Sequence, residues 1–283
     1  MGSDGFLATA SENDIILWRE RLQRSTATMY ERLPEEVEVE ADGPIRVIRI
    51  NRPDDLNAVN PGVHRGLAEV WPMIDADVEA RAVVITGKGR AFSAGGDFAL
   101  LEAMANDPVI RKHEIEVGKS LVLNMMRTRV PVVAAVNGPA VGLGCSLVAL
   151  SDVVYMAESA HLADPHVVVG LVAADGGPIT WPLMTSLQLA KEFAFTGDRI
   201  SASRAAEIGL ANHVVADEEV FASASTAAHR LAGLPQQAVE ATKRVMNIHL
   251  ERAVLATLDY AMAAEAATFD SDDLRANLEK MRR

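Results

Sequence analysis

Cysteine is almost missing from this sequence. The single Cys145 excludes an internal disulfide and a multi-thiolate zinc cluster, and it fits a reducing compartment, with the cytoplasm as the expected location. Basic charge is also short: 27 Lys and Arg face 39 Asp and Glu, a net charge of −12. That balance leaves no phosphate-backbone footprint spread over the surface and removes nucleic acid as the expected main partner. An unbroken apolar run is lacking too. The longest apolar stretch, 130–150, is interrupted by Pro131, Asn137, Gly138, Pro139, Gly142 and Gly144, against the roughly 20 continuous residues a bilayer span requires. No membrane partner is therefore expected. Residues 1–11 carry no basic region followed by a long apolar run, so neither a secretory signal nor a transit peptide is read there. No fixed-period repeat or low-complexity tract stands out. Core material, in contrast, is plentiful. With 49% hydrophobic residues over 283 positions and a mean hydropathy of +0.10, the chain is neither disordered nor fibrous.

The hydrophobic pattern changes along the chain. Residues 12–33 space Ile15, Leu17, Trp18, Leu22 and Met29 near helical intervals, which predicts an amphipathic helix, and the acidic stretch 34–43 reads as a linker. From Ile45 onward, IRVIRI (45–50), AVVITG (82–87), VPVVAAVNG (130–138) and DVVYMA (152–157) read as strands. The intervening segments 63–80 and 98–127 read as helices, an alternation that predicts an α/β fold. After Phe195 the strand signals nearly stop, and 202–208, 218–234, 236–248 and 251–281 read as helical. The expected division is an extension at 1–43, a core at 44–200 and a helical region at 201–283.

Two glycine-rich junctions carry the chemistry. AFSAGGDF (91–98) and NGPAVGLGCSL (137–147) each follow a strand and enter a helical pattern. Glycines there free backbone N–H groups from ladder pairing, and the start of a helix leaves its first N–H groups without partners. Two such junctions can converge on one carbonyl oxygen as an oxyanion hole, worth on the order of 3 kcal/mol per donor. Either junction alone reads equally as a close-packing turn. No H-E-x-x-H or comparable spacing links the histidines, so no metal is expected. His64, His113, His161, His213, His229 and His249 are assigned surface or structural roles. Asp97 reads as a residue that fixes its glycine turn, and Cys145 as a packing residue.

Together with NRPDDLNAV (51–59), these segments resemble the crotonase, or enoyl-CoA hydratase/isomerase, superfamily. The likeness continues through Ser151-Asp152, GLVAADGG (170–177), FTGDRI (195–200) and AAEIGLANHVV (205–215), covering about 45–283. It implies a spiral of ββα turns, a helical carboxyl-terminal trimerisation region, and a homotrimer or dimer of trimers. It also implies an acyl-CoA thioester as substrate, with coenzyme A as part of that substrate and no separate cofactor. By motif position the oxyanion donors are the amides of Gly96 and Leu143. Asp55, Leu56, Ala58 and Ala94 fall where relatives contact the nucleotide and pantetheine arm; Asp97 and Ser146 complete the expected binding surface. Asp54-Asp55 replaces what is often a Lys-containing pair, leaving Arg52 as the available cation. Phe269 and Lys280 are of types that relatives use to reach a neighbouring subunit's CoA.

The chain departs from the hydratase pattern at both catalytic carboxylates. The two glutamates expected to bracket a water are replaced by Ser146 and His166. His166 is a neutral-pH acid/base type, and Asp175 follows nine positions later, just before Gly176-Gly177. These two are the candidate proton handlers, with Asp175 expected to orient His166 or to move a proton itself. Structural roles, a loop histidine and a helix cap, are the alternative for each. Hydration or isomerisation of an enoyl-CoA is the primary expectation. The pattern P-H-x-x-x-G-x-V-x-x-D-G also resembles the branch that cleaves cyclic β-diketones without CoA, and loss of both glutamates is compatible with a non-catalytic acyl-CoA binder. A Ser146–His166–Asp175 nucleophile triad ranks lowest, since Ser146 lacks a G-x-S-x-G elbow.

Overall fold

The computed structural model describes residues 29–282. The helix expected over 12–33 lies outside them except for its last positions, of which Met29 and Tyr30 are helical. Strands β1 (Val37–Asp42) and β2 (Ile45–Ile50) are followed by α1 (Pro61–Ala76), β3 (Ala82–Gly87), α2 (Phe98–Asn106), α3 (Pro108–Arg127) and β4 (Val132–Val136). Next come the two-residue β5 (Ala140–Val141), α4 (Leu143–Ala149), β6 (Val153–Ala157), β7 (His161–Ala163) and α5 (His166–Val169). The chain continues through α6 (Gly177–Met184), α7 (Leu187–Thr196), β8 (Ile200–Ser201), α8 (Ala202–Glu207) and β9 (His213–Val215). It closes with α9 (Val220–Ala232), the 33-residue α10 (Gln236–Thr268) and α11 (Asp272–Met281).

The larger sheet runs β1-β2-β3-β4-β6-β9, parallel except for the β1–β2 hairpin. Its central strands are apolar at nearly every position because both faces are covered. Ile48, Ile50, Val83, Ile85, Val132 and Ala134 pack into the main core with Trp71 of α1 and Leu121 of α3. The alternate residues Ile45, Val47, Ala82, Val84, Val133 and Ala135 meet Ala224, Ala228 and Ala232, which are spaced four apart on α9. A smaller sheet, β5-β7-β8, stands beside the first.

Several expectations change. The segment 34–43 is a paired edge strand rather than a linker: Val37 is buried and its register runs from Val37–Ile50 to Asp42–Ile45, with acids filling the solvent side. The helical run 98–127 breaks at Asp107, whose carboxylate caps α3 while Pro108 takes its first position. The region from 201 is not purely helical or separate, since β9 extends the large sheet and α9 covers its face. Conversely, no breaker lies at 249–250, and α10 runs continuously to Thr268.

One buried ion pair braces the hairpin against α1. Arg46 Nε bonds Asp77 Oδ2 at 2.6 Å, with side chains 3% and 1% exposed, and Tyr30 donates to the same carboxylate. Burial first, and then the Asp77 charge, push the Tyr30 phenol up. Asp77→Ala leaves a buried guanidinium without its partner, so the expected loss is about 3–5 kcal/mol in urea unfolding.

Candidate active site

Main-chain pairing brings the two glycine junctions together. Ser93 bridges to Ala140 and Gly96 to Val59, through Val141 N to Ser93 O at 2.9 Å, Val59 N to Gly95 O at 2.8 Å and Asp97 N to Val59 O at 3.0 Å. Gly95 is held at φ +88, where a Cβ would meet Val141 O at 3.0 Å and Gly142 Cα at 3.7 Å. Only glycine permits that approach. Leu143 is the first residue of α4, and its N–H has no carbonyl one turn back within the helix. Among the described residues neither Gly96 N nor Leu143 N donates to a backbone carbonyl outside the regular elements. Both residues border one cavity of about 80 Å³.

His166 and Asp175 border the same cavity. His166 opens the single-turn α5, which Gly170 ends at φ +103 against Leu274 of α11; Asn277 of α11 donates to Val168 O and Val169 O at 3.2 and 2.9 Å. The carboxyl-terminal helix thereby holds the end of the short helix that carries the imidazole. The group that orients His166 is Asp164, bonded through Oδ1 to Nδ1, and not Asp175 as expected. The reason is reach: Asp164 lies two residues away on the same bend, whereas Asp175 Oδ1 accepts from Ser146 Oγ at 2.7 Å. That bond also removes the nucleophile triad, because the serine hydroxyl faces the carboxylate. Asp175 does not cap α6, whose N-cap is Gly176 without a side-chain bond. Gly176 lies so close that a Cβ on it would meet Ser146 Cβ at 2.6 Å, so a small residue at 146 accommodates the returning loop.

Asp164, Glu114 and Glu265 of this neighbourhood were not read from the sequence, and His64 was read only as surface or structural. Asp164 was visible as a carboxylate two positions before His166. Glu265 from α10, and His64 from α1 bonded through Nδ1 to Glu114 Oε2 of α3 at 2.6 Å, gave no local signal. Their elements meet only in the folded chain. His64, bonded to Glu114, also borders the cavity.

Burial disfavours charge on His166, but the adjoining Asp164 carboxylate, with Asp175 and Glu265, outweighs it and lifts the imidazole to about 10. Asp164 also resists ionisation through burial, and His166 more than offsets this to hold its carboxyl below the usual range. Glu265 is different: burial, aided by Asp175 and Asp164 against the pull of His166, raises it to about 8. At neutral pH this neighbourhood therefore holds the His166 imidazolium, the Asp164 carboxylate and the protonated carboxyl of Glu265. The Cys145 thiol, wholly buried behind them, is pushed up by burial.

The expected CoA-contacting loop is built but internally committed. Arg52 bonds Asp55 Oδ2 at 2.6 Å, Asp97 Oδ2 at 3.0 Å and Ala58 O at 2.6 Å, so it is not the free cation expected. Leu56 and Asn57 adopt left-handed backbone, Leu56 O accepts from Ala94 N, and Asp97 caps α2 through Ala99 N. Asp55, Leu56, Ala58, Ala94, Asp97 and Ser146, expected on the binding surface, do not line the cavity. Phe269 lies in its wall and is fully buried, which explains that residue by packing. Among the described residues no group of three or more His, Cys, Asp or Glu is placed to hold a metal ion, and no helix is long and apolar enough to cross a membrane.

Residues 40–282 match the family model described as Enoyl-CoA hydratase/isomerase. The chain belongs to that family. Among solved structures, an enoyl-CoA hydratase/isomerase from Mycobacterium paratuberculosis is 61% identical, with a TM-score of 0.86 over 88% of this chain and 99% of that one. A β-diketone hydrolase from Anabaena, bound to (S)-3-oxocyclohexyl acetic acid, is 28% identical, with a TM-score of 0.80 over 87% and 98%. Among curated relatives, the short-chain-enoyl-CoA hydratase of Clostridium acetobutylicum is 32% identical over 82% of this chain and 87% of its own length. The fold is accordingly the mixed α/β architecture of the crotonases, with a helical carboxyl-terminal region.

The raised carboxyl of Glu265 sets a pH test within this family member. The folded state keeps a proton that the unfolded chain releases above its ordinary value of 4.5, so stability falls as pH rises from there to about 8 and levels off beyond. His166, raised from 6.5 to about 10, adds a second decline in its own window. Glu265→Gln removes the first: its gain over wild type in urea midpoint is expected to be larger at pH 8.5 than at pH 5.

Proposed function

We propose that this enoyl-CoA hydratase/isomerase family member is an enzyme that acts on an acyl-CoA thioester whose carbonyl oxygen lies between Gly96 N and Leu143 N. The reaction is hydration or isomerisation of an enoyl-CoA. The observation that carries this reading is a pair of amides on one cavity that have no backbone acceptor among the described residues, with His166 and Asp175 in its wall. In hydration, Asp175 takes a proton from water as the water oxygen bonds to carbon 3. The displaced electron pair moves onto the thioester oxygen, where the two N–H groups stabilise the enolate. The His166 imidazolium, held by Asp164, then protonates carbon 2, and the proton left on Asp175 restores the imidazolium through the cavity. Ser146 aims Asp175 by donating to it; protonated Glu265 adds a donor without another negative charge. Isomerisation uses the same enolate, with Asp175 removing a carbon-bound proton and His166 returning one elsewhere.

A second reading is cleavage of a β-diketone without CoA. It is favoured by the Anabaena structural relative and by Arg52, whose guanidinium is already engaged by Asp55 and Asp97 instead of awaiting a phosphate. Asp175 then takes a proton from water as the water oxygen bonds to one ketone carbon, the bond from that carbon to the carbon between the ketones breaks, and the amides hold the departing enolate until His166 protonates it. The assembly is proposed to be a homotrimer or dimer of trimers, supported by exposed apolar residues along α10, including Val245, Met246 and Leu255.

Turnover of crotonyl-CoA, longer enoyl-CoAs and a cyclic 1,3-diketone separates the readings: activity on the diketone alone overturns the thioester. Stabilisation by CoA thioesters without turnover of any of them identifies a binder. For the enzyme, His166→Ala and Asp175→Asn are each expected to lower kcat by about 10²–10⁴-fold with little change in KM.

A further inference from the structure

Behind the His166 imidazole, two buried polar atoms have no hydrogen-bond partner among the described residues: Asp164 Oδ2 and Trp181 Nε1. The Asp164 side chain is 1% exposed and Trp181 is 1% exposed, so bulk solvent reaches neither. They are complementary, since a carboxylate oxygen accepts and an indole N–H only donates. Arg49 Nη1 and Trp71 Nε1 also lack partners, but both only donate, so neither completes the other. Asp164 Oδ2 and the Trp181 ring meet at Gly177, the first residue of α6, because Trp181 follows one helical turn later. A Cβ built on Gly177 would stand 2.9 Å from Asp164 Oδ2 and 3.5 Å from Trp181 Cε2, the ring carbon bonded to Nε1. Glycine at 177 thus leaves a notch about one methyl group wide between the acceptor and the donor. The Gly177 N–H, with no carbonyl one turn back within the helix, lies beside it.

We infer that this notch binds one water, which accepts from Trp181 Nε1 and donates to Asp164 Oδ2, and that through it Trp181 positions the carboxylate that holds His166. A water donates and accepts at once, so one molecule satisfies both orphaned groups, and buried water is found where polar groups lack protein partners. An apolar atom there leaves a carboxylate oxygen and an indole N–H unpaired, and each unpaired group carries its full desolvation cost. The two oxygens of Asp164 then have separate duties. Oδ1 takes His166 Nδ1, and Oδ2 is tied on the notch side, so the carboxylate cannot turn about its own axis and the imidazole is fixed from behind. Trp181 is a positioning residue, since neither it nor Asp164 lines the cavity. The water site stands on the orphaned atoms alone, whereas its effect on chemistry rests on the role proposed for His166.

A crystal structure of the full chain at about 1.5 Å is expected to show one water within about 2.7–3.2 Å of both Asp164 Oδ2 and Trp181 Nε1. No water, a water on one of the two atoms only, or Trp181 bonded directly to Asp164 overturns the proposal. Trp181→Phe keeps an aromatic body and removes the N–H. On whichever compound the wild type turns over, it is expected to lower kcat about tenfold with KM within about twofold, and to change kcat by less than about twofold in an Asp164→Asn background. An equal loss in both backgrounds, or no loss in either, overturns the positioning role. Should Trp181→Phe not fold, Gly177→Ala, which puts a methyl group in the notch, replaces it in the same cycle. If no compound is turned over, the proposed reaction fails by itself, and crystals of the substituted chain decide instead. There the Asp164 carboxylate is expected to turn off His166 Nδ1, and an unmoved carboxylate overturns the positioning role.

Discussion

Everything at this site depends on a short piece of main-chain pairing outside the two sheets. Gly96 is bridged to Val59 and Ser93 to Ala140, and the second bridge continues into β5 and β7 of the smaller sheet. Those bonds hold two turns, nearly fifty residues apart in the chain, with their glycines in contact. They also consume the neighbouring carbonyls and amides. Among the described residues the ladder leaves the amides of Gly96 and Leu143 without a backbone acceptor, which is what the proposed oxyanion role rests on. Replacing Gly95 with any larger residue forces backbone against Val141, so the cost falls on the two turns at once.

Around those amides the charges are unequal in number. Asp164, Asp175 and Glu265 stand near the His166 imidazole, and burial makes a negative charge on Asp164 or Glu265 costly. The fold resolves this by proximity. Asp164 is paired with His166, Asp175 receives the Ser146 hydroxyl, and Glu265, with neither, keeps its proton. Three carboxyl groups in one neighbourhood thus take three different roles because their nearest partners differ. The serine that stands where a hydratase carries a glutamate is part of this arrangement: it is small enough for the Gly176 loop to close over it and polar enough to direct Asp175.

Much of the fold was legible. Strands β2, β3, β4 and β6 coincide with apolar runs because each is buried on both faces, and the glycine junctions mark the strand-to-helix turns. The edge strand β1 was missed because its outward residues are acidic and mimic a linker. The two- and three-residue strands β5, β7, β8 and β9 were missed for a different reason, since so few residues show no periodicity. At the site, Gly96, Leu143, His166 and Asp175 were legible from motif position, and all four meet on one cavity. The dyad was drawn with the wrong carboxylate. Asp164 is two residues from His166, while the expected partner is engaged elsewhere.

The amino-acid sequence by itself determined which segments become buried strands, where glycine opens the backbone, and that neither hydratase glutamate is present, because these follow from residue type and local spacing. Only tertiary structure decided that Asp164 orients His166, that Ser146 serves Asp175, that Arg52 is already engaged, and that Glu265, His64 and Glu114 share the cavity. Those outcomes depend on which side chains from distant elements meet in a buried space. Hydrogen-bond geometry and the cost of burying charge then select the partner, and neither acts until the helices have packed.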